Sequence, residues 1–411
     1  MQDLMADNKN KNLLILVAPN ISERMGGEAL KGLSIYKGLI ALGVNVIQIT
    51  HERVRDELKI THPDLEIYYI PDDLLQIFFY RVRFLRFLQE LFFNLKVKKL
   101  IKKFNKDVRM IAVHFTSPIS PFAMTMVIPN AFNLVGPING NIHCPTPFRK
   151  YGYGENWLKE KSYLILSFFF GILFPFKRKA DVFLVSGGER TEIALIKMGI
   201  PKTKIEYVID SGVSLSFVKT QRIEHHGKNM KFVFIGRFAK FKGMELILES
   251  LLRTSNQIQV DFIGGGDEKK HLLSLREKLG LQERVNFFPF VVHREIPRLL
   301  GRYRAMLLPS LREALGIIVQ ECMMLGLPSI CLDWGGPGEI LKNGGGILIK
   351  PLSKEYVVQE LAESMDFLAT HDSFAEKLSI EGREIAVQNF IWPEILKKWV
   401  NLLETKTQQS F

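Results

Sequence analysis

Two doubly wound α/β domains facing a central cleft are the architecture this sequence predicts, and three observations carry the prediction. The chain is 411 residues long, and domains of roughly 100–200 residues make two the natural division. Strand-like apolar runs alternate with helical patterns in two separate series, the signature of parallel sheets covered by helices. Between the series, "FVKTQRIEHHGKNM" (217–230) is polar and aperiodic, as a linker is. The expected organisation is a first domain over 1–216, a linker over 217–230 and a second domain over 231–389. The amphipathic tail, 390–411, is expected to pack back on the first domain.

The first series opens with a strand "LLILVAP" (13–19), a loop "NISERMGGEA", a helix through Leu42 and a strand "VNVIQIT". "VRMIAVH" (108–114), "AFNLVGPINGN" and "ADVFLVS" (180–186) read as further strands, and "KIEYVIDSGVS" as a short strand and turn. The second series runs "KFVFIG", helix "MELILESLL", "IQVDFIG", helix "EKKHLLSLREKLG", "VNFFPF", "AMLLPS", a helix over 316–325 and "PSICLD". In such folds a ligand sits outside the carboxyl ends of the strands, where the strand order reverses.

Composition narrows the class further. With 47% hydrophobic and 24% charged residues the chain has material for two cores. Cys144, Cys322 and Cys331 form neither a disulfide framework nor a CxxC pair, which points to a reducing, cytoplasmic compartment. The start, "MQDLMADNKNKN", is polar and of mixed charge, unlike a secretory signal. The net charge of +12 is concentrated in 78–109, which holds ten Lys or Arg against Glu90 and Asp107. Phe84, Phe87, Leu88, Leu91 and Leu95 recur there at helical spacing, so an apolar stripe beside basic faces is expected. "YLILSFFFGILFPF" (163–176) is apolar between lysines but too short to span a bilayer, which takes about 20 residues. The two segments together suit an anionic membrane surface, and a peripheral location on the inner face of the cytoplasmic membrane is expected. Solvated helix faces are the plainer explanation of each. A nucleic-acid partner is not expected, because it leaves the charged loops described next without a role.

Those loops lie where strands turn into helices. "FIGRFAKFKG" carries Gly236, Arg237 and Lys242. Glycines admit a ligand to the backbone, and an Arg with a Lys beside a helix start suits a pyrophosphate. "FIGGGDEKKHLL" carries Gly265 and Asp267, the latter most simply an N-cap. "LREALGIIVQECMMLGLP" places Glu313 in a turn before a helix and Glu321 inside it, around Leu315, Gly316 and Ile317. One carboxylate at the mouth and one in the first turns form a ligand clamp. "MGGEALKG" supplies Gly26 and Gly27 in the first domain. It is not GxGxxG, and no acid closes the next strand, which argues against a nicotinamide cofactor.

In that order, "GRFAKFKG", "GGGD" and "LLPSLREALGIIVQECMMLGLPSICLDWGGPGEI" resemble the donor half of retaining GT-B glycosyltransferases, glycosyltransferase family 4, also called glycosyl transferases group 1. The resemblance covers about 180–345 well and the first domain loosely. It implies a nucleotide diphospho-sugar donor, UDP favoured over GDP, bound by the second domain with no metal and no cofactor. Arg237 and Lys242 would hold the diphosphate and stabilise its growing charge. Glu313 would touch hydroxyls of the transferred sugar, Glu321 those of the ribose, and the backbone of Leu315, Gly316 and Ile317 would face sugar and phosphate. Gly26 and Gly27 would approach from the first domain, while Gly236, Gly265 and Asp267 would line the donor loops. His114 in "VHFTSP" stands where related enzymes place a His near the reacting sugar, though a structural histidine fits equally. The sequence departs from the family at Asn139 and Asn141 around Gly140, where glycines are more usual, and at Cys322, where an Ala is commoner and the small Cys reads as a packing substitution. The implied acceptor is a glycan or lipid-linked saccharide of surface polysaccharide or lipopolysaccharide assembly. A small soluble acceptor, a sugar-phosphate reaction and a non-catalytic scaffold are the alternatives.

Overall fold

The computed structural model describes residues 12–25, 27–73, 86–104, 109–139, 142–153, 157–186, 188–255 and 257–411. The chain divides into two compact units, one of Met1–Gly140, Glu160–Asp210 and Trp392–Phe411, the other of Asn141–Lys159 and Ser211–Ile391.

In the first unit β1 (Asn12–Val17), α1 (Gly27–Ala41), β2 (Val46–His51), α2 (Arg55–Thr61), β3 (Ile67–Ile70), α3 (Arg86–Phe104), β4 (Met110–Phe115) and β5 (Phe132–Ile138) follow in order. Then come α4 (Trp157–Leu173), β6 (Val182–Val185), α5 (Glu189–Lys197) and β7 (Ile205–Tyr207). Seven strands form one parallel sheet in the order β3-β2-β1-β4-β5-β6-β7. Leu14 and Leu16 of β1 point to one face and Leu13, Ile15 and Val17 to the other, so after Asn12 the strand is apolar throughout and both faces are covered.

The second unit repeats the plan. α6 (Leu215–Lys219) leads to β8 (Lys231–Arg237), α7 (Met244–Leu251), β9 (Gln259–Gly265), α8 (Lys269–Lys278), β10 (Val285–Phe288), α9 (Ile296–Leu300) and β11 (Ala305–Leu308). α10 (Ile317–Leu325), β12 (Ser329–Leu332), α11 (Gly335–Leu341), β13 (Gly346–Ile349), α12 (Lys354–Thr370) and α13 (Asp372–Asn389) complete it. Six strands pair in parallel as β10-β9-β8-β11-β12-β13. α14 (Trp392–Thr407) belongs to the first unit, where Ile395, Leu396, Trp399 and Leu403 bury beside Tyr36 and Leu39 of α1. Both units are therefore Rossmann-like, each with a reversal of strand order, between β1 and β4 and between β8 and β11.

Several expectations change at this level. Residues 217–230 are not a free span: Arg222 pairs with Glu376 at 2.6 Å, and the Ile223 N–H donates to Leu325 O at 2.7 Å, so they pack on the second unit. The division falls at Asp210/Ser211 instead. In α3 the buried stripe is Phe93, Val97 and Ile101, whereas Leu95 is exposed, so the buried side lies nearly opposite the stripe that runs through Leu91 and Leu95. Phe84 lies outside the described residues, as do the side chains of Phe87 and Leu88. Strands β3 and β13 are four residues each, too short a pattern to stand out in the sequence.

Candidate active site

The loops that leave β8 and β11 flank the reversal of strand order in the second unit. Arg237 ends β8 and is exposed, and Lys242 lies in the 3-10 turn Lys240–Lys242 that follows. Gly243 sits at φ +72°, and a Cβ there would meet Pro309 O at 2.2 Å, so the two loops touch backbone to backbone. That contact delivers the Lys242 Nζ to the Glu313 carboxylate, with which it forms an ion pair in which both side chains keep some exposure. The Glu313 carbonyl accepts the Gly336 N–H at 3.0 Å, fixing the turn against the start of α11.

Gly316 is the N-cap of α10, at φ +79°, and no side chain caps that helix. Its first N–H groups thus start at the mouth, close to the Lys242–Glu313 pair, where a helix N-terminus favours an anion. Leu315 is half-buried and Ile317 exposed at the same turn. Glu321, further along α10, is only 5% exposed. It is not unpaired: His293 Nε2 lies 2.6 Å from its Oε1, and this hydrogen bond raises the imidazole above its ordinary pKa. The His293 ring also lies 5.1 Å from that of Phe217, which holds it over the carboxylate. Nothing in the sequence marked His293, because it is 28 residues from Glu321 and in no glycine loop.

The second glycine loop splits in function. Gly264 and Gly266 are needed by the fold, since a Cβ on either would meet Gly236 O or Phe238 O at 2.0 and 2.4 Å. Gly265 has open space at its Cβ position, and at Gly236 only the Phe234 ring comes near, at 3.9 Å. Asp267 is exposed and is not the N-cap expected of it: α8 starts at Lys269 with Glu268 in the cap position. Asp267 stands one residue before that cap, and no side chain caps α8. Cys322 is fully buried and its thiol pushed well up by burial, as a packing residue's is.

In the first unit Gly27 begins α1 with open space around it, and Gly26 lies outside the described residues. His114 is a correction. It sits within β4, 4% exposed, and its Nε2–H donates to Gly136 O at 2.8 Å beside the Trp399 ring. Burial lowers its pKa to about 4, so the ring is a neutral core group, not a residue presented to a sugar. What the first unit does present is a cavity of about 620 Å³ at the carboxyl ends of β1, β2 and β4. Asn20, Glu28, Arg53 and Glu90 are among its lining residues. Glu28 accepts hydrogen bonds from Ser117 Oγ and the Ile119 N–H, and Asn20 Oδ1 is buried with no partner among the described residues. Burial raises the Glu90 carboxyl above its usual range.

Residues 218–385 match the family model of glycosyl transferases group 1. Most of the second unit is therefore similar to group 1 glycosyl transferases. Alpha-D-kanosaminyltransferase of Streptomyces kanamyceticus is 28% identical over 151 residues, 36% of this chain and 38% of that protein. The chain spans about half the length of the curated relatives it matches. Among solved structures, Anabaena HepE in complex with UDP and glucose superposes with TM-score 0.59 at 16% identity, covering 96% of this chain and 100% of that one. The lipopolysaccharide outer core galactosyltransferase WaaB, in its apo form, gives TM-score 0.63 at 14% identity over 96% and 99%. These matches fix the fold as that of GT-B glycosyltransferases and support a transferase.

Proposed function

We propose that the chain is a retaining glycosyltransferase of family 4 that moves a hexosyl unit from a nucleotide diphospho-sugar to a glycan or lipid-linked acceptor. The observation that carries this reading is the Lys242–Glu313 pair at the uncapped start of α10, with Glu321 buried behind it. A diphosphate takes Lys242 and Arg237; each donates to its oxygens, and both stabilise the charge that grows as the glycosidic bond breaks. Glu313, released from full pairing, accepts hydrogen bonds from sugar hydroxyls, and Glu321 from the ribose hydroxyls while His293 keeps it oriented. The leaving phosphate takes the acceptor's hydroxyl proton on the same face, so the anomeric configuration is kept and no side chain becomes covalently attached. No metal or cofactor is required by this set, because two fixed cations and a helix N-terminus serve the diphosphate.

UDP is the favoured nucleotide; the complex of the similar Anabaena protein with UDP and glucose supports it. The first unit's cavity, with Glu28, Glu90 and the unpartnered Asn20 Oδ1, suits the hydroxyls of an acceptor saccharide. A lipid-linked saccharide of surface polysaccharide or lipopolysaccharide assembly at the inner membrane face is the acceptor class. The fold it shares with an outer core galactosyltransferase supports that choice.

Thermal unfolding with UDP, GDP and their sugars tests the donor assignment. Ligand at about 100 times its dissociation constant adds about 2.7 kcal/mol of stability. A shift with one nucleotide family that vanishes in Arg237→Ala/Lys242→Ala fixes the donor class. No shift with any nucleotide, with or without acceptor lipid, removes the reading.

A further inference from the structure

α4 is built the wrong way round for a helix facing water. Its inward side carries Ser167, fully buried, and Gly171, where a Cβ would meet Met198 O at 2.3 Å, while Phe170 packs on the first core. Its outward side carries Ile165, Leu166, Phe168, Phe169, Ile172 and Leu173, each between 51% and 69% exposed. At 100° per residue these six fall within an arc of about 160°, one continuous apolar strip. A surface helix normally shows polar residues on that side, and large contiguous apolar patches mark interaction sites.

What surrounds the strip identifies its partner. Phe93, Val97 and Ile101 of α3 bury in the same cluster that Phe170 packs against, so α3 and α4 cover the same face of the first sheet. Their outward sides therefore look the same way. On α3 that side carries Lys98, Lys99 and Lys102, the last two exposed. The acid of this helix, Glu90, turns inward to accept the Met124 N–H. Lys161 and Lys179, both exposed, stand at the two ends of the strip. A second copy of the chain would set these lysines against one another, which repels. An anionic bilayer answers both features: apolar residues enter the acyl boundary and lysines meet the headgroups.

We propose that this face of the first unit docks on an anionic phospholipid bilayer, with the α4 strip inserted and the α3 lysines on the headgroups. The inference deepens the lipid-linked acceptor proposed above and rests on that reading. α4 is 17 residues long, and among the described residues no helix is long and apolar enough to cross a membrane, so the docking is interfacial.

The test is flotation of the whole protein with vesicles of phosphatidylcholine alone and with vesicles of equal parts phosphatidylcholine and phosphatidylglycerol. The protein should float with the anionic vesicles and stay behind with the neutral ones, and salt should weaken the binding. Phe168→Ser/Phe169→Ser and, separately, Lys99→Glu/Lys102→Glu should each lower binding roughly tenfold or more. Absence of flotation with either vesicle overturns the proposal, as does flotation that both variants leave unchanged. A dimer that sediments intact and is split by Phe168→Ser/Phe169→Ser, without flotation, assigns the strip to a second copy and overturns it too. UDP-induced stabilisation, measured on the same samples, reads the second unit separately. Its absence in the parent protein is a failure of the donor reading, and flotation still decides the membrane face.

Discussion

The two units share one topology and present opposite chemistry at the same place. In each, the reversal of strand order opens a crevice beside the first strand. After β8 that position offers Arg237 and Lys242, with the uncapped helix start of α10 opposite. After β1 it offers Asn20 and, at the start of α1, Glu28, with Glu90 across the cavity. The sheet decides where a ligand goes; the side chains on the loops decide its charge. On the function proposed above, one crevice takes the anionic diphosphate and the other the acceptor's hydroxyls.

The sharpest way to break this contrast is Lys242→Ala. Removing a cation from a developing anion should cost about 10²–10³-fold in turnover, measured as sugar transfer, with Glu313 then left without its cation. Substitution at Glu28 should behave differently. Glu28→Gln keeps the shape, so transfer should fall roughly tenfold through acceptor KM, while UDP-induced stabilisation stays as in the parent. If Glu28→Gln weakened UDP binding and left acceptor KM unchanged, the division of labour between the crevices would be wrong.

Buried histidines make both units sensitive to acid, the first most of all. In the first, burial lowers His114 from 6.5 to about 4, and burial with the nearby Arg53 charge does the same to His51. The unfolded chain binds protons on both rings below pH 6.5 while the folded unit holds them off until about pH 4, so stability falls as pH falls through that window. For His114 the full shift corresponds to about 3 kcal/mol, of which about 2 kcal/mol is lost by pH 5. Urea midpoints at pH 7 and pH 5 check this, and His114→Asn should flatten the acid loss. The second unit has a similar ring in His225, lowered chiefly by burial.

Legibility followed the same division. The charged loops of the second unit stood out because their residues are close in sequence and of unusual type: Gly236 to Lys242, and Glu313 to Glu321 around Gly316. Their glycines hold backbone angles or contacts that few other residues permit, so the geometry leaves a mark in the sequence. His114 misled because a histidine after a strand looks the same whether its ring faces a ligand or a carbonyl; only the Gly136 hydrogen bond distinguishes them. Which side of α3 packs could not be read because apolar residues there lie on more than one side, and periodicity alone does not say which side packs. α4 could not be resolved from sequence for a related reason. A run that is apolar all round has no polar side to mark the surface, and Gly171 against Met198 is a tertiary fact.

His293 gives the smallest effect and the most specific one. Its hydrogen bond to Glu321 raises the imidazole pKa, the reverse of His114. The pair therefore contributes most below pH 6.5 and fades as pH rises through the raised value. A protonated His293 also fixes the Glu321 carboxylate by charge as well as by hydrogen bond, so UDP affinity should weaken as that proton is lost. His293→Ala should reduce UDP affinity a few-fold, roughly the worth of a partly exposed charged pair, and remove the loss of affinity as pH rises above 6.5. His293→Gln, which retains a donor but not the charge, should restore much of the affinity and none of the pH dependence. Titrations of UDP at several pH values decide it. Equal pH profiles for the parent and His293→Ala would mean that Glu321 is held by the α10 backbone alone.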